Sequence, residues 1–182
     1  MNTPDATLLQ TLADREAIRD CLYRYCRGID RLDAEALRSA YWPDGTDNHG
    51  AYKGSAQGFI DMALEKLQGA GRMVHSISNI LIELRGDVAA VESYFQAWQA
   101  DRDAQGQPQE TFLCGRYVDR FERRGAEWRV ADRTVVYDWI RQTPLPPGTD
   151  LERFGVRQPM GGREPDDAVY ALLSQAPFNA PR

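Results

Sequence analysis

Apolar residues recur at helical spacing through the first third of the chain. Ile18, Cys21, Leu22, Tyr25 and Ile29 form one stripe, with Arg15, Glu16, Arg19, Asp20, Arg24 and Arg27 mostly on the other side. Asp14 is placed to cap the start of that stripe and Gly28 to end it. Asp33 then opens a second short helix over 34–41, closed by Trp42-Pro43. Asp44-Gly45 and Asn48-His49-Gly50 are turn signals with room for only a short strand between them. A third helix, over 55–68, sets Phe59, Met62, Ala63 and Leu67 on one face and stops at Gly69-Ala70-Gly71.

From Met73 the period drops to two. Residues 73–84, 89–101, 110–123 and 127–140 each read as a long strand, with hairpin turns at Gly86-Asp87 and 124–126 and a polar loop over 103–108. Three helices followed by an antiparallel meander predict an α+β fold, with the helices packed on one face of a curved sheet. After Thr143 the pattern fades, and seven of the ten prolines fall between Pro144 and Pro181. Only 166–174, with Ala168, Tyr170, Leu172 and Leu173, retains helical spacing. The chain therefore divides into one domain over 1–142 and an arm over 143–182 that wraps the body or a neighbouring subunit.

Composition narrows the function. With 182 residues, 42% apolar and 27% charged, the chain supports one core of ordinary size. No apolar run exceeds the six residues of 168–173, which excludes a membrane-spanning helix, and the first twelve residues lack the basic start of a secretory signal. A net charge of −5 with only isolated basic pairs disfavours nucleic acid as a partner. Cys21, Cys26 and Cys114 lack CxxC spacing and read as reduced thiols in a cytoplasmic protein. With His49 and His75 the only histidines, no metal site is expected.

Strand alternation points to where chemistry can sit, because residues two apart share a face. His75, Ile77, Asn79 and Leu81 align on the first long strand. Glu92, Tyr94, Gln96 and Trp98 align on the second, opposite the smaller set Val91, Ser93, Phe95 and Ala97. Arg133, Val135, Tyr137 and Trp139 align on the fourth. Faces mixing His, Asn, Arg, Tyr and Trp suit a polar-lined pocket better than a dry core. Asp30 stands just beyond Gly28, before the Asp33 cap.

Six segments, in order, resemble the SnoaL-like branch of the NTF2-like (cystatin-like α+β cone) superfamily over about residues 8–141. They are Asp14-Arg15-Glu16-Ala17-Ile18-Arg19-Asp20, Tyr25-Cys26-Arg27-Gly28-Ile29-Asp30-Arg31-Leu32-Asp33, Asp47-Asn48-His49-Gly50-Ala51-Tyr52-Lys53-Gly54, His75-Ser76-Ile77-Ser78-Asn79, Gly115-Arg116-Tyr117-Val118-Asp119-Arg120-Phe121 and Trp128-Arg129-Val130-Ala131-Asp132-Arg133. Enzymes of this branch eliminate without a cofactor through an Asp–His pair and an Arg; bile-acid 7α-dehydratase and hexachlorocyclohexane dehydrochlorinase are examples, and scytalone dehydratase is more distant. The resemblance places Asp30, His75 and Arg133 on that set, and Tyr25 on the tyrosine of the dehydratase. It implies a site inside the cone. The proline-rich arm departs from the short ends of the family.

The implied chemistry is proton abstraction. Imidazole, with an ordinary pKa near 6.5, takes a proton from carbon near neutral pH. Asp30 would hold the tautomer of His75, Arg133 would stabilise developing charge, and Tyr25 would protonate a departing hydroxyl. Trp42, His49, Asn79, Trp98, Tyr117, Tyr137 and Trp139 complete the expected substrate wall, suited to a flat aromatic or polycyclic small molecule. The expected function is a cofactor-independent lyase of the dehydratase type. Formaldehyde-releasing C–C cleavage, loss of halide and isomerisation begin with the same step. A noncatalytic binding module, or the small subunit of a ring-hydroxylating dioxygenase, is the reading from another class. A homo-oligomer, trimer or dimer, is expected from the apolar outer face of a small curved sheet and from the trimeric related dehydratases.

Overall fold

The computed structural model describes residues 6–175. Its first element, α1 (Ala6–Arg31), buries the predicted stripe Ile18, Cys21, Leu22, Tyr25 and Ile29. It begins two turns earlier than the stripe suggested. Asp14 is not its cap but a buried mid-helix carboxylate that accepts from the Trp128 indole N–H and the Gln10 amide, both at 2.9 Å. Nor does Gly28 end the helix. The chain turns at Leu32, in the left-handed region with φ 52°, while Leu32 N–H donates to Ile29 O and Asp33 N–H to Gly28 O. Gly28 is there for close approach: a Cβ on it would lie 2.6 Å from that of Leu37 on the next helix.

Asp33 caps α2 (Ala34–Ser39) by accepting from Ala36 N–H. Trp42-Pro43 is not a helix stop but part of β1 (Tyr41–His49), which makes a hairpin with β2 (Tyr52–Ser55). Ser55 caps α3 (Ala56–Leu67), whose Phe59, Ile60 and Ala63 are buried. The four long strands follow as read: β3 (Met73–Arg85), β4 (Val88–Arg102), β5 (Pro108–Arg124) and β6 (Glu127–Pro144).

The sheet order is β2-β1-β6-β5-β4-β3, antiparallel except that β1 runs parallel to β6 and brings Asp47 opposite Arg133. Helices α1 to α3 cover one face, with Tyr25, Leu22, Phe59, Phe95, Tyr117 and Phe121 in the core between. The architecture is the α+β cone.

Two irregularities set which residues face that core. On β3 the register slips between Ser78 and Leu81, with Asn79 at φ 47°. Beyond it Ile80, Ile82 and Leu84 face inward, and Asn79 and Leu81 face out. On β6 the pairing jumps from Gly115–Tyr137 to Cys114–Trp139, so Asp138 is the extra residue of a bulge. The crowding there admits only glycine at position 115, where a Cβ would lie 2.0 Å from Val136 O.

The segment after Pro144 carries α4 (Asp150–Phe154) and α5 (Ala168–Leu173) and folds back on its own body. Arg163 donates to the carbonyls of Leu67, Gln68 and Ala70 at the end of α3. Glu164 N–H donates to Arg31 O, and Tyr170 O–H to Asp33. No described helix is long and apolar enough to cross a membrane.

Candidate active site

The end of α1 is what places the first site residue. Asp30 occupies the last helical turn, held there by the reversal at Leu32, and its carboxylate meets the third residue of β3. Asp30 Oδ1 lies 2.6 Å from His75 Nδ1, while Oδ2 accepts from the His75 backbone N–H at 2.9 Å. Because an ionised carboxylate only accepts, Nδ1 carries the ring proton and Nε2 is left for a bound molecule. Both side chains are largely but not fully buried.

A second carboxylate–histidine pair stands on β1. Asp47 and His49 are two apart and share the inward face. Asp47 is completely buried, accepts the Tyr41 hydroxyl at 2.6 Å and lies 3.2 Å from His49 Nδ1. The His49 ring stacks on Phe59, centroids 4.3 Å apart, with Tyr137 edge-on at 6.2 Å.

Both histidines line one cavity of about 320 Å³ between α1, α3 and the concave sheet face. Tyr25, Phe59, Lys66, Gln99 and Tyr137 complete the working part of its wall. That volume suits a small molecule, and the ring-rich wall with few polar groups suits an apolar one. Burial pushes the Tyr25 hydroxyl well above the ordinary tyrosine range and raises that of Tyr137. Both are therefore donors, not bases.

Arg133 lies elsewhere than the sequence suggested. It is fully buried and pairs with Asp119 through two bonds of 2.8 and 2.7 Å. Its guanidinium sits between the rings of Tyr25 and Tyr117, at 4.3 and 4.1 Å, and does not line the cavity. Its Nη1 has no hydrogen-bond partner among the described residues. The expected direct stabilisation of substrate charge is thus corrected: Arg133 props Tyr25 from beneath. Burial pushes the Asp119 carboxyl above its ordinary range while Arg133 opposes the rise. Tyr117 belongs to the same layer, stacked on Phe95 and edge-on to Tyr25.

Four further expected wall residues lie, like Tyr117, outside the cavity. Trp42 donates its indole N–H to Glu122 O, beneath the guanidinium groups of Arg124 and Arg129. Trp98 packs on Phe112 on the outer sheet face, because the smaller set Val91, Ser93, Phe95 and Ala97 is the one turned to the helices. Asn79 is turned out by the β3 bulge. Trp139, 62% exposed, is turned out by the β6 bulge. In the other direction, Asp47, Phe59, Lys66 and Gln99 were not singled out. Asp47 shares strand parity with His49, Gln99 with Ala97, and Lys66 lies three positions after Ala63, so the signal for each was present in the pattern.

Among the described residues no three His, Cys, Asp or Glu side chains gather closely enough to hold a metal ion. Cys21 and Cys26 are buried thiols pushed up to about 11 and about 12, mainly by desolvation.

The profile of the SnoaL-like domain matches residues 10–134. The chain belongs to that family. Its fold is similar to hexachlorocyclohexane dehydrochlorinase LinA of type 2, with a TM-score of 0.68 at 21% identity, covering 78% of this chain and 99% of that one. It is similar also to LinA type 3 from Novosphingobium barchaimii LL02, with a TM-score of 0.66 at 20% identity over 76% and 99%. A protein assigned as a scytalone dehydratase from Novosphingobium aromaticivorans gives 0.64 at 18% identity over 75% and 91%. No curated protein matches by sequence. At these identities the structures share the fold with this chain.

Proposed function

We propose that this protein is a lyase that removes a proton from a carbon of a small, ring-containing molecule, with His75 as the base and no cofactor required. The observation that carries the reading is the Asp30–His75 pair on the cavity wall. Asp30 grips both the ring and the backbone of His75, which fixes tautomer and orientation together and leaves Nε2 toward the bound molecule. Tyr25, buried and protonated, stands on the same wall as a hydrogen-bond donor to an oxygen of the substrate. The apolar walls exclude water and favour a flat ring. Family membership and the fold shared with a dehydrochlorinase and a protein assigned as a dehydratase support elimination as the reaction class. Loss of water is its simplest form.

The test is turnover of hexachlorocyclohexane and of a panel of aromatic β-hydroxy ketones by the intact chain and by His75→Ala. Loss of the base should lower turnover by roughly 100- to 10,000-fold, with circular dichroism and binding of the same compounds unchanged. Equal turnover in the two proteins would overturn the assignment. Binding without turnover in both would favour a noncatalytic module.

A further inference from the structure

The structure carries one histidine more than this mechanism uses. Resting on the reading above, we propose that His49 is the acid partner of His75: the Asp47-bound imidazolium donates its Nε2 proton to the leaving group while His75 takes the proton from carbon. The argument begins with buried charge. Among the described residues Arg133 makes both of its side-chain hydrogen bonds to Asp119, with Nη1 unpaired, and none to Asp47. Asp47 is equally buried and, among the described residues, has only the neutral Tyr41 hydroxyl and the His49 ring as side-chain partners. A buried carboxylate is costly without a cation, and His49 is the ionisable ring in direct contact with it. Asp30 differs. It reaches the edge of the solvent and receives a backbone N–H as well as the ring, so a neutral His75 satisfies it.

Placement agrees with the role. His49 Nδ1 is taken by Asp47, which leaves Nε2 for a molecule in the cavity that His75 also lines. Phe59 stacked on one side and Tyr137 edge-on to the ring fix its plane. The other titratable groups on that wall are Tyr25, Tyr52, Lys66, His75 and Tyr137. The step balances. The C–H pair becomes the new C=C bond, the bond from carbon to the leaving oxygen breaks, and that oxygen takes the proton of His49. His75 ends protonated and His49 neutral, and solvent exchange restores both.

The probes are 4-aryloxybutan-2-ones, whose phenols range from 4-nitrophenol, which leaves unaided, to 4-methoxyphenol, which needs a proton. His75→Ala should slow all of them by a similar factor. His49→Ala should slow the nitrophenyl ether less than about 3-fold and the methoxyphenyl ether by about 100-fold or more, as loss of a general acid does. A His49→Ala loss that ignores the leaving group, or none at all, overturns the proposal. If His75→Ala changes nothing while the leaving-group trend at His49 persists, the base assignment fails and the acid assignment stands. A readout independent of turnover is nitrogen NMR of ring-labelled histidine in the full chain, where His75→Ala assigns the two rings. At pH 7 both nitrogens of His49 should be protonated, and Asp47→Asn should leave one. A neutral His49 with a bare Nε2 overturns the proposal whether or not any probe reacts.

Discussion

His75 is tied to one carboxylate through two atoms, and that double tie explains what substitution there should do. Asp30→Asn keeps the shape of the side chain but offers an amide N–H where Nδ1–H must donate, so the ring turns or changes tautomer. Its loss of turnover should approach that of His75→Ala, and the double variant should be little worse than either, because residues acting as one unit are non-additive. Steady-state rates of the three variants on one substrate check this; multiplied losses would break the pair into separate roles. Arg133 belongs to the opposite kind of residue. Arg133→Met should cost about 3–5 kcal/mol at neutral pH by leaving Asp119 buried and unpaired, measured by urea unfolding. The sign of the pH effect follows from Asp119, which burial raises above its ordinary 3.8 even with Arg133 present. A raised carboxylate favours folding below the unfolded value and disfavours it as pH rises through the folded one. The Arg133→Met penalty should therefore shrink as the solution is acidified from neutrality toward that range.

Between elements, the position of the site depends on how closely α1 and α2 approach. Gly28 meets Leu37 where a Cβ has no room, and Asp30 lies two residues further along the same turn. Gly28→Ala should push the helices apart and cost roughly 1–3 kcal/mol, as overpacking does. It should also lower turnover more than that stability loss explains, because the Asp30–His75 contact must lengthen. Thermal unfolding and activity measured on one preparation separate the two effects. If activity is unchanged in a destabilised variant, the approach of α1 to α2 does not position the pair. The bulges of β3 and β6 act on the same scale: each moves one residue out of the ladder and so decides which aromatic side chains reach the cavity.

For the whole molecule, the outer face of the sheet leaves Leu81, Tyr94, Trp98, Val118 and Trp139 substantially exposed. An apolar face of that kind is expected to be covered by another copy of the chain, as a dimer or trimer. Sedimentation at micromolar concentration checks this, and Trp139→Glu should shift any assembly toward monomer without altering the fold; a monomeric parent chain refutes it. The arm contributes differently, since its polar contacts close onto the ends of α1 and α3 of its own body.

What the sequence determined by itself is local. The period of apolar positions gave three helices and four long strands in their order, and from that order an α+β fold with helices on one face of a curved sheet; the cone was what the family resemblance implied. Local pattern placed Asp30 at a helix end and His75 at a strand start, and the family resemblance singled them out as a pair. Strand parity also held as far as each strand stayed regular, which is why Tyr137 was found. It failed for Asn79 and Trp139 because a bulge inverts every face beyond it and depends on the partner strand. For Trp98 it failed because parity names two faces and not which one meets the helices. Tertiary structure alone decided that Asp14 is buried under Trp128, that Arg133 pairs with Asp119 outside the cavity, and that Asp47 meets the His49 ring. The first two are charges whose partner lies on another element, and the balance of buried charge is a property of the packed interior, which no spacing along the chain records.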